Sequence, residues 1–144
     1  MAVYSFANVT ASIVGPGGAF SLGNGSGNSE EGITVAFAED KNTMTVGADG
    51  SGMHSMHAGR SGAITVRLLK TSPVNKQLAD LYRFQTSTPT NHGRNTISVR
   101  DPARGDVVVA LECAFRKMPD NAWAKVGNIL EWVFDCITID EKLG

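Results

Sequence analysis

The sequence predicts a mainly β protein, an antiparallel β-sandwich or barrel with one flanking α-helix. Most of the periodic segments alternate apolar and polar residues, which is typical of half-buried strands. Only one segment, which begins at Pro73, has the spacing of an amphipathic helix. Several short strands with a single helix favour a sandwich or barrel whose helix covers one opening or face.

A strand that leads directly into this helix organises the chain. Residues 64–68 alternate apolar and polar side chains, and Ser72-Pro73 ends the strand. Ser72 is a suitable cap for the free N–H groups of a helix, and Pro73 suits the first helical position. The other periodic segments all resemble strands, so the helix has only a sheet to pack against. The apolar stripe expected at this contact is Val74, Leu78, Leu81 and Tyr82.

The remaining strands are predicted from the same alternation. In the first half of the chain they are residues 4–14, 19–22, 33–38 and 43–48, and the last two are expected to form a hairpin. In the second half they are residues 96–100, 107–115 and 129–139. The strand at 107–115 is expected to place on one face Val107, Val109, Leu111, Cys113 and Phe115.

Length and composition predict a single domain, residues 1–144, and exclude several classes of protein. Its expected loops are residues 23–32, 49–62 and 116–128, and Trp123 in the last is expected to anchor a short helical turn. The net charge of −1 lacks the basic excess of a protein that neutralises phosphates. No secretory signal and no membrane-spanning run is visible, and buried strand cysteines favour an intracellular origin.

No group of residues supports catalysis, so no enzyme activity, cofactor or metal is predicted. His54 and His57 lack further ligands at zinc-like spacing and are interpreted as solvated loop residues. The glycine-rich segments lack the Gly-Lys-Ser/Thr sequence of a phosphate-binding loop. The acidic strand residues permit a hydrolase with paired carboxylates, but the wet face of amphipathic strands explains them better. They are Glu112, Glu131 and Asp135.

The strand at residues 107–115 is apolar on both faces, and Ile137 and Ile139 repeat this feature near the C-terminus. A small sandwich buries one face of each sheet and exposes the other to solvent. A second apolar face therefore indicates a cover, which is either the helix alone or neighbouring subunits as well. Self-association is therefore an expectation from this pattern.

Three consecutive motifs between residues 49 and 78 carry a family resemblance. They are D-G-S-G-M-H-S at 49–55, A-G-R-S-G-A-I-T-V at 58–66 and L-L-K-T-S-P-V-N-K-Q-L at 68–78. In this order they resemble the tail tube proteins of contractile-tailed bacteriophages, small structural proteins related to type VI secretion tubes. The specific part is R-S-G-x-I-T-V-x-L followed by T-S-P-x-N, and the match covers mainly residues 43–81.

The resemblance implies a structural virion protein that forms stacked hexameric rings, the inner tail tube through which DNA is ejected. The implied partners are further copies of the chain, the tail sheath protein, and the tape-measure, baseplate and tail-terminator proteins. Double-stranded DNA is expected to pass through the lumen without specific binding, and no membrane partner is implied. Such a protein is part of the phage tail and is assembled in the cytoplasm of the bacterial host.

The resemblance also suggests roles for particular residues. Flexible methionines suit a loop that adapts to the next ring, and the expected inter-ring residues are Asp49, Gly52, Met53, His54, Met56, His57 and Arg60. A lumen should be polar and not basic, because each Lys or Arg contact to a phosphate would retard DNA. The expected lumen-facing residues are Glu112, Glu131 and Asp135, whereas Arg67 and Arg100 on strands argue against an acidic lumen.

Three alternatives remain open from the sequence. A solitary ligand-binding β-barrel would use the two-faced apolar strands to line a cavity. A hydrolase would use the acidic strand residues. A tube subunit of a type VI secretion-like system would share the fold and the self-assembly of the phage protein.

Overall fold

The computed structural model describes residues 9–22, 28–127 and 129–144, with only the backbone of residues 28–31. Within these ranges the chain forms one α-helix, α1 (Val74–Thr86), and nine β-strands. The strands are β1 (Thr10–Gly15), β2 (Gly18–Ser21), β3 (Asn28–Phe37), β4 (Asn42–Val46), β5 (Gly52–Met56), β6 (Gly62–Leu69), β7 (Asn95–Asp101), β8 (Asp106–Phe115) and β9 (Ile129–Lys142). Part of the strand predicted at 4–14, residues 4–8, lies outside the described residues.

Seven of the strands form one antiparallel sheet in the order β2-β1-β7-β8-β9-β6-β3, and β4 and β5 form a separate two-stranded sheet. The two edge strands, β2 and β3, do not pair with each other in the described part of the chain, so the sheet does not close into a barrel. The predicted mainly β, antiparallel fold with one helix is confirmed. The open sheet removes the enclosed interior that a solitary ligand-binding barrel requires.

The core lies between the sheet and α1. Strand β6 buries alternate residues from Ile64 to Leu68, as its sequence predicts. The helix buries Val74, Leu78 and Leu81 in the same cluster, while Tyr82 is half-buried with its ring edge-on to Phe115 at 5.5 Å. Partly buried apolar side chains of the edge strands also reach this cluster, namely Phe20, Ile33 and Val35. The sheet therefore curls around one helix-covered core.

Polar side chains fix both ends of α1. Ser72 Oγ accepts a hydrogen bond from the Val74 N–H at 3.3 Å, just before the first turn. Trp132 Nε1 donates to Asn75 Oδ1 at 3.1 Å, and this joins the first turn to β9. At the other end, Gln85 and Asn95 exchange two amide hydrogen bonds of 2.6 and 2.7 Å in the core.

The structure corrects the pairing predicted for residues 33–48. Strand β4 pairs with β5, not with β3, while β3 pairs with β6. The segment 49–62, predicted as a loop, contains all of β5. The predicted loop 23–32 is also partly strand, since β3 begins at Asn28; residues 23–27 lie outside the described residues. Period-two alternation marks a strand but does not identify its partner.

The prediction that alternate residues of 107–115 share one face is also wrong. The buried residues are Val108 and Ala110 in the first part of β8, and Cys113 and Phe115 in the second. A β-bulge between them explains the change of phase. Strand β7 advances by two residues from Asn95 to Ile97, whereas β8 advances by three between their partners.

Candidate assembly surfaces

Strands β4 and β5 form a hairpin, Asn42–Met56, whose large apolar side chains are exposed. One face carries Met44, Val46 and Met56, and all three side chains are exposed. The other face carries Met53, which is also exposed, with threonine and serine. The core cluster of the described residues includes no residue of this hairpin. A two-stranded hairpin is marginally stable in water, so its exposed apolar face needs a partner.

The turn of the hairpin keeps a negative charge at its tip. Asp49 Oδ1 accepts hydrogen bonds from Ser51 Oγ at 2.6 Å and from Ser51 N–H at 3.1 Å. These bonds lower the pKa of Asp49 below its ordinary value, because they stabilise the carboxylate. Gly50 has a φ of 90°, which an L-residue rarely adopts.

The two histidines of this region, His54 and His57, each form a hydrogen bond to a residue of β4. A hydrogen bond of 3.1 Å joins Asn42 Nδ2 to His54 Nδ1, and one of 2.7 Å joins Thr43 Oγ1 to His57 Nε2. In the described residues no group of three or more His, Cys, Asp or Glu side chains is arranged to hold a metal ion. These histidines therefore have a local structural role in fastening the two strands.

Arg60 lies at the base of the hairpin and not on it. Its carbonyl oxygen accepts a hydrogen bond from the Ile139 N–H at 2.8 Å, and it forms an isolated bridge with Thr138 of β9. The segment between β5 and β6 is thus attached to the large sheet. The seven predicted inter-ring residues are all on the hairpin, on its turn or in this connection, and all are exposed.

The face of the large sheet opposite α1 carries the three acidic residues predicted to face a lumen. Glu131 and Asp135 are exposed on β9 and point away from the buried Trp132 and Phe134. Glu131 lies 3.4 Å from Arg67 Nε, and Asp135 receives hydrogen bonds of 2.6 and 3.1 Å from Arg116. Hydrogen bonding to Asp135 raises the pKa of Arg116 above its ordinary value.

The same face also carries charge of the opposite sign, which the sequence could only partly predict. Arg67 points to this face, beside Glu131, and donates a hydrogen bond to Thr34 Oγ1 at 2.8 Å. Arg100, the other strand arginine, is exposed on β7 beside Thr10. Glu131 and Asp135 are therefore each matched by an arginine on a neighbouring element. Around these two ion pairs the face is locally neutral rather than acidic.

Glu112 lies in the β8 bulge, where its side chain and that of Leu111 both face away from the core. Its φ of 54° makes it the only described residue other than glycine with a positive φ. Leu111 and Ile137 are exposed on this side, next to Glu112 and Asp135, in a groove of about 1020 Å³. The second apolar face expected from the sequence thus consists of Leu111, Ile137 and half-buried Val107 and Val109.

The sequence prediction missed two apolar surfaces. The sequence predicts that residues 43–48 pair with residues 33–38, although the D-G at 49–50 between two alternating runs favours the hairpin that forms. Trp123 was expected to anchor a helical turn, but residues 116–127 contain no helix or strand and Trp123 is 83% exposed. Its ring lies 4.8 Å from Lys70 Nζ. Within the described residues, no helix has the length and hydropathy needed to cross a membrane.

The fold, an open antiparallel sheet with one helix and a projecting hairpin, is that of proteins from contractile injection systems. The chain is similar to a protein of the PVC sheath-tube complex of an extracellular contractile injection system, with 8% identity over 94% of this chain and 88% of that one and a TM-score of 0.58. It is also similar to the tube-terminating cap of the anti-feeding prophage, with 6% identity, 100% and 93% coverage and a TM-score of 0.55. The PVC sheath/tube terminator gives 13% identity, 93% and 92% coverage and a TM-score of 0.52.

Sequence comparison goes further than the fold. Residues 1–144 match the family described as the bacteriophage PhiTE tail tube protein, and the chain belongs to this family. No curated protein matches the chain. Family membership makes the chain a structural component of a phage tail tube, in agreement with the resemblance found in residues 43–81.

Proposed function

We propose that the chain forms hexameric rings that stack into the inner tube of a contractile phage tail, the conduit for DNA ejection. The observation that carries this proposal is the β4–β5 hairpin, whose apolar face is exposed and whose residues contribute nothing to the core. A single copy cannot cover that face, whereas a neighbouring copy can. The role is structural and requires no enzyme activity and no cofactor.

Ring formation is supported by the two edges of the large sheet. Strands β2 and β3 lie at opposite edges, so the described part of each subunit presents two different unpaired edges. Exposed edges pair readily with strands of other chains. Contact between two different edges is heterologous, and it generates a closed ring when the rotation between subunits closes.

The orientation of each subunit follows from the position of α1. The helix covers one face of the sheet, which leaves the opposite face for the lumen. On that face Arg67 and Arg116 each lie beside a carboxylate, so neither presents an isolated positive charge to a passing phosphate. We therefore retain Glu112, Glu131 and Asp135 as lumen-facing residues of the proposal.

The partners follow from the same arrangement. The similar proteins come from a sheath-tube complex and from tube terminators, so a tail sheath protein outside the tube and a terminator at its end are proposed here. The tape-measure and baseplate proteins complete the expected set, and double-stranded DNA passes without specific binding. Assembly takes place in the cytoplasm of the bacterial host.

The test is the assembly state of the purified protein at increasing concentration, measured by size-exclusion chromatography and negative-stain electron microscopy. The parent protein should form rings and tubes. Because Met44 and Met56 are exposed, the double variant Met44→Ser/Met56→Ser should keep the parental melting temperature but yield rings that do not stack. Leu143→Ser, at an exposed apolar residue of the C-terminus, is the matched control and should form tubes. A parent protein that stays monomeric at high concentration would refute the proposal.

A further inference from the structure

A second exposed apolar surface lies at one end of the large sheet. It is called here the Trp123 patch and consists of Leu69, Trp123, Val126 and Ile129, all exposed. Leu69 and Ile129 are direct partners on β6 and β9. Lys70, the next residue along the chain from Leu69, lies over the Trp123 ring and donates a hydrogen bond to the Ala122 carbonyl at 2.7 Å. These contacts hold the indole at the end of the sheet with its surface open to solvent.

The β4–β5 hairpin leaves the sheet at the other end of the same strand. Phe37 and Gly62 are direct partners, and the hairpin is inserted between them. The Trp123 patch begins at Leu69, where β6 ends. Eight residues of strand span about 23 Å. The two apolar surfaces of one subunit are therefore separated by the length of the sheet, and each faces outward at its own end.

The charges of the two surfaces are complementary. From Asn42 to Gly59, Asp49 is the only residue with a formal charge when the histidines are neutral. The hydrogen bonds from Ser51 favour the ionised form of Asp49. Residues 117–127 contain two cations, Lys117 and Lys125, and one carboxylate, Asp120, which lies 3.9 Å from Lys117. Lys70 adds a third cation beside Trp123. An acidic hairpin tip and a basic rim around an aromatic side chain suit each other.

We propose that the Trp123 patch is the docking site for the β4–β5 hairpin of a second copy of this chain in the next ring. The proposal rests on the proposed tube function and names the surface that receives the hairpin. Met44, Val46 and Met56 pack against the exposed indole, and tryptophan is enriched among residues that dominate interface energies. The flexible methionine side chains adapt to the ring surface.

The geometry explains how stacking can continue. A contact between two different surfaces at opposite ends of the subunit is heterologous, and along an axis it repeats without closing. Every ring then covers the hairpins of one neighbour and has its own hairpins covered by the other. The two ends of the finished tube differ, because one end exposes hairpins and the other exposes Trp123 patches.

The experiment combines two defective variants. Met44→Ser/Met56→Ser has an altered hairpin and an intact patch, whereas Trp123→Ser has an intact hairpin and an altered patch. Each variant alone should give single rings with the parental melting temperature, since the altered residues are exposed. A mixture of the two ring preparations should give pairs of rings in negative-stain images and no longer stacks. Val126→Ser is a second patch variant, and Leu143→Ser is the control that should form tubes alone.

Fluorescence provides an independent readout, because the chain has only two tryptophans and Trp132 is buried. In single rings, acrylamide should quench the fluorescence of Trp123. In tubes it should no longer do so, because the docked hairpin covers the indole.

The outcomes separate this proposal from the tube function. If the parent protein forms tubes and Trp123→Ser also forms them, the docking site is wrong and the tube function stands. If the mixed variants stay as single rings, or tubes leave Trp123 open to acrylamide, the docking site is likewise wrong. A third result is that Trp123→Ser forms normal tubes that do not bind a sheath protein. That result would show that the Trp123 patch contacts the sheath and would overturn its docking to a second copy. A parent protein that forms no rings would overturn both proposals.

Discussion

At the scale of single residues, the bulge at Glu112 decides which side chains of β8 enter the core. Ala110 and Cys113 are both buried although they are three positions apart in the strand, because Leu111 and Glu112 together oppose one residue of β7. A regular strand would turn either Ala110 or Cys113 outward. The bulge requires a left-handed conformation at Glu112, with a φ of 54°. The sequence gives no sign of this, because glutamate is not a residue that favours positive φ.

Glycine at this position should therefore stabilise the protein. A left-handed conformation costs a residue with a Cβ atom about 1–2 kcal/mol, and Glu112→Gly removes this cost. Glycine loses more backbone entropy on folding, which lowers stability by about 0.5–1 kcal/mol, so the net effect is stabilising. We expect the free energy of unfolding in urea to rise by up to about 1 kcal/mol. Ala114→Gly, in the regular part of the same strand, is the matched control and should lower it. An equal decrease in the free energy of unfolding in both variants would show that the backbone of Glu112 is unstrained.

The buried amide pair of Gln85 and Asn95 should be costly to break. Each side chain donates to the other, and Gln85 also donates to the Pro16 carbonyl at 3.1 Å. Gln85→Met keeps the volume but leaves the Asn95 amide unsatisfied, at a cost of about 1–3 kcal/mol in the free energy of unfolding. The same substitution at exposed Gln77 should change it by less than about 0.5 kcal/mol. Similar urea midpoints for the two variants would contradict this prediction.

At the scale of elements, the sequence predicts the type of each segment better than its partner. The prediction of β6 followed by α1 is correct. The period-two pattern of a strand and the period of an amphipathic helix meet at Ser72-Pro73, and few structures satisfy both. Strand β4 was assigned to the wrong neighbour, because a short alternating run carries no information on which strand lies beside it. The loop predicted at 116–128 has no helix or strand in residues 116–127, so the short helical turn suggested for Trp123 does not form.

The helix should be held mainly by its buried leucines. Leu78 is fully buried between α1 and the sheet. Leu78→Ala should lower the free energy of unfolding by about 2–5 kcal/mol, because it leaves a cavity that the sheet cannot fill, and should reduce the soluble yield. Lys76→Ala on the exposed side of α1 is the control. Identical thermal melting of the Leu78→Ala and parent proteins would mean that this stripe contributes little to stability.

At the scale of the whole molecule, the two faces of the large sheet have different tasks. One face is covered by α1 and carries the core, including the facing thiols of Cys113 and Cys136. The opposite face combines exposed Leu111 and Ile137 with ion pairs such as Arg116–Asp135. The chain has a net charge of −1, so it lacks the overall positive charge that would attract DNA. These features are consistent with the proposed position of this face in the lumen.

Cysteine labelling can determine which face lines the lumen. Glu112→Cys places a thiol on the proposed lumen face, and Lys76→Cys places one on the exposed side of α1. The native cysteines should give little background, because both are buried. In assembled tubes, a small maleimide should label both variants, whereas a maleimide on a bulky polymer should label only Lys76→Cys. Single rings should be labelled by both reagents at both positions. Equal labelling of Glu112→Cys tubes by the two reagents would place this face on the outside of the tube. The helix α1 would then line the lumen, and the polar residues of the lumen would be Lys76, Asp80 and Arg83.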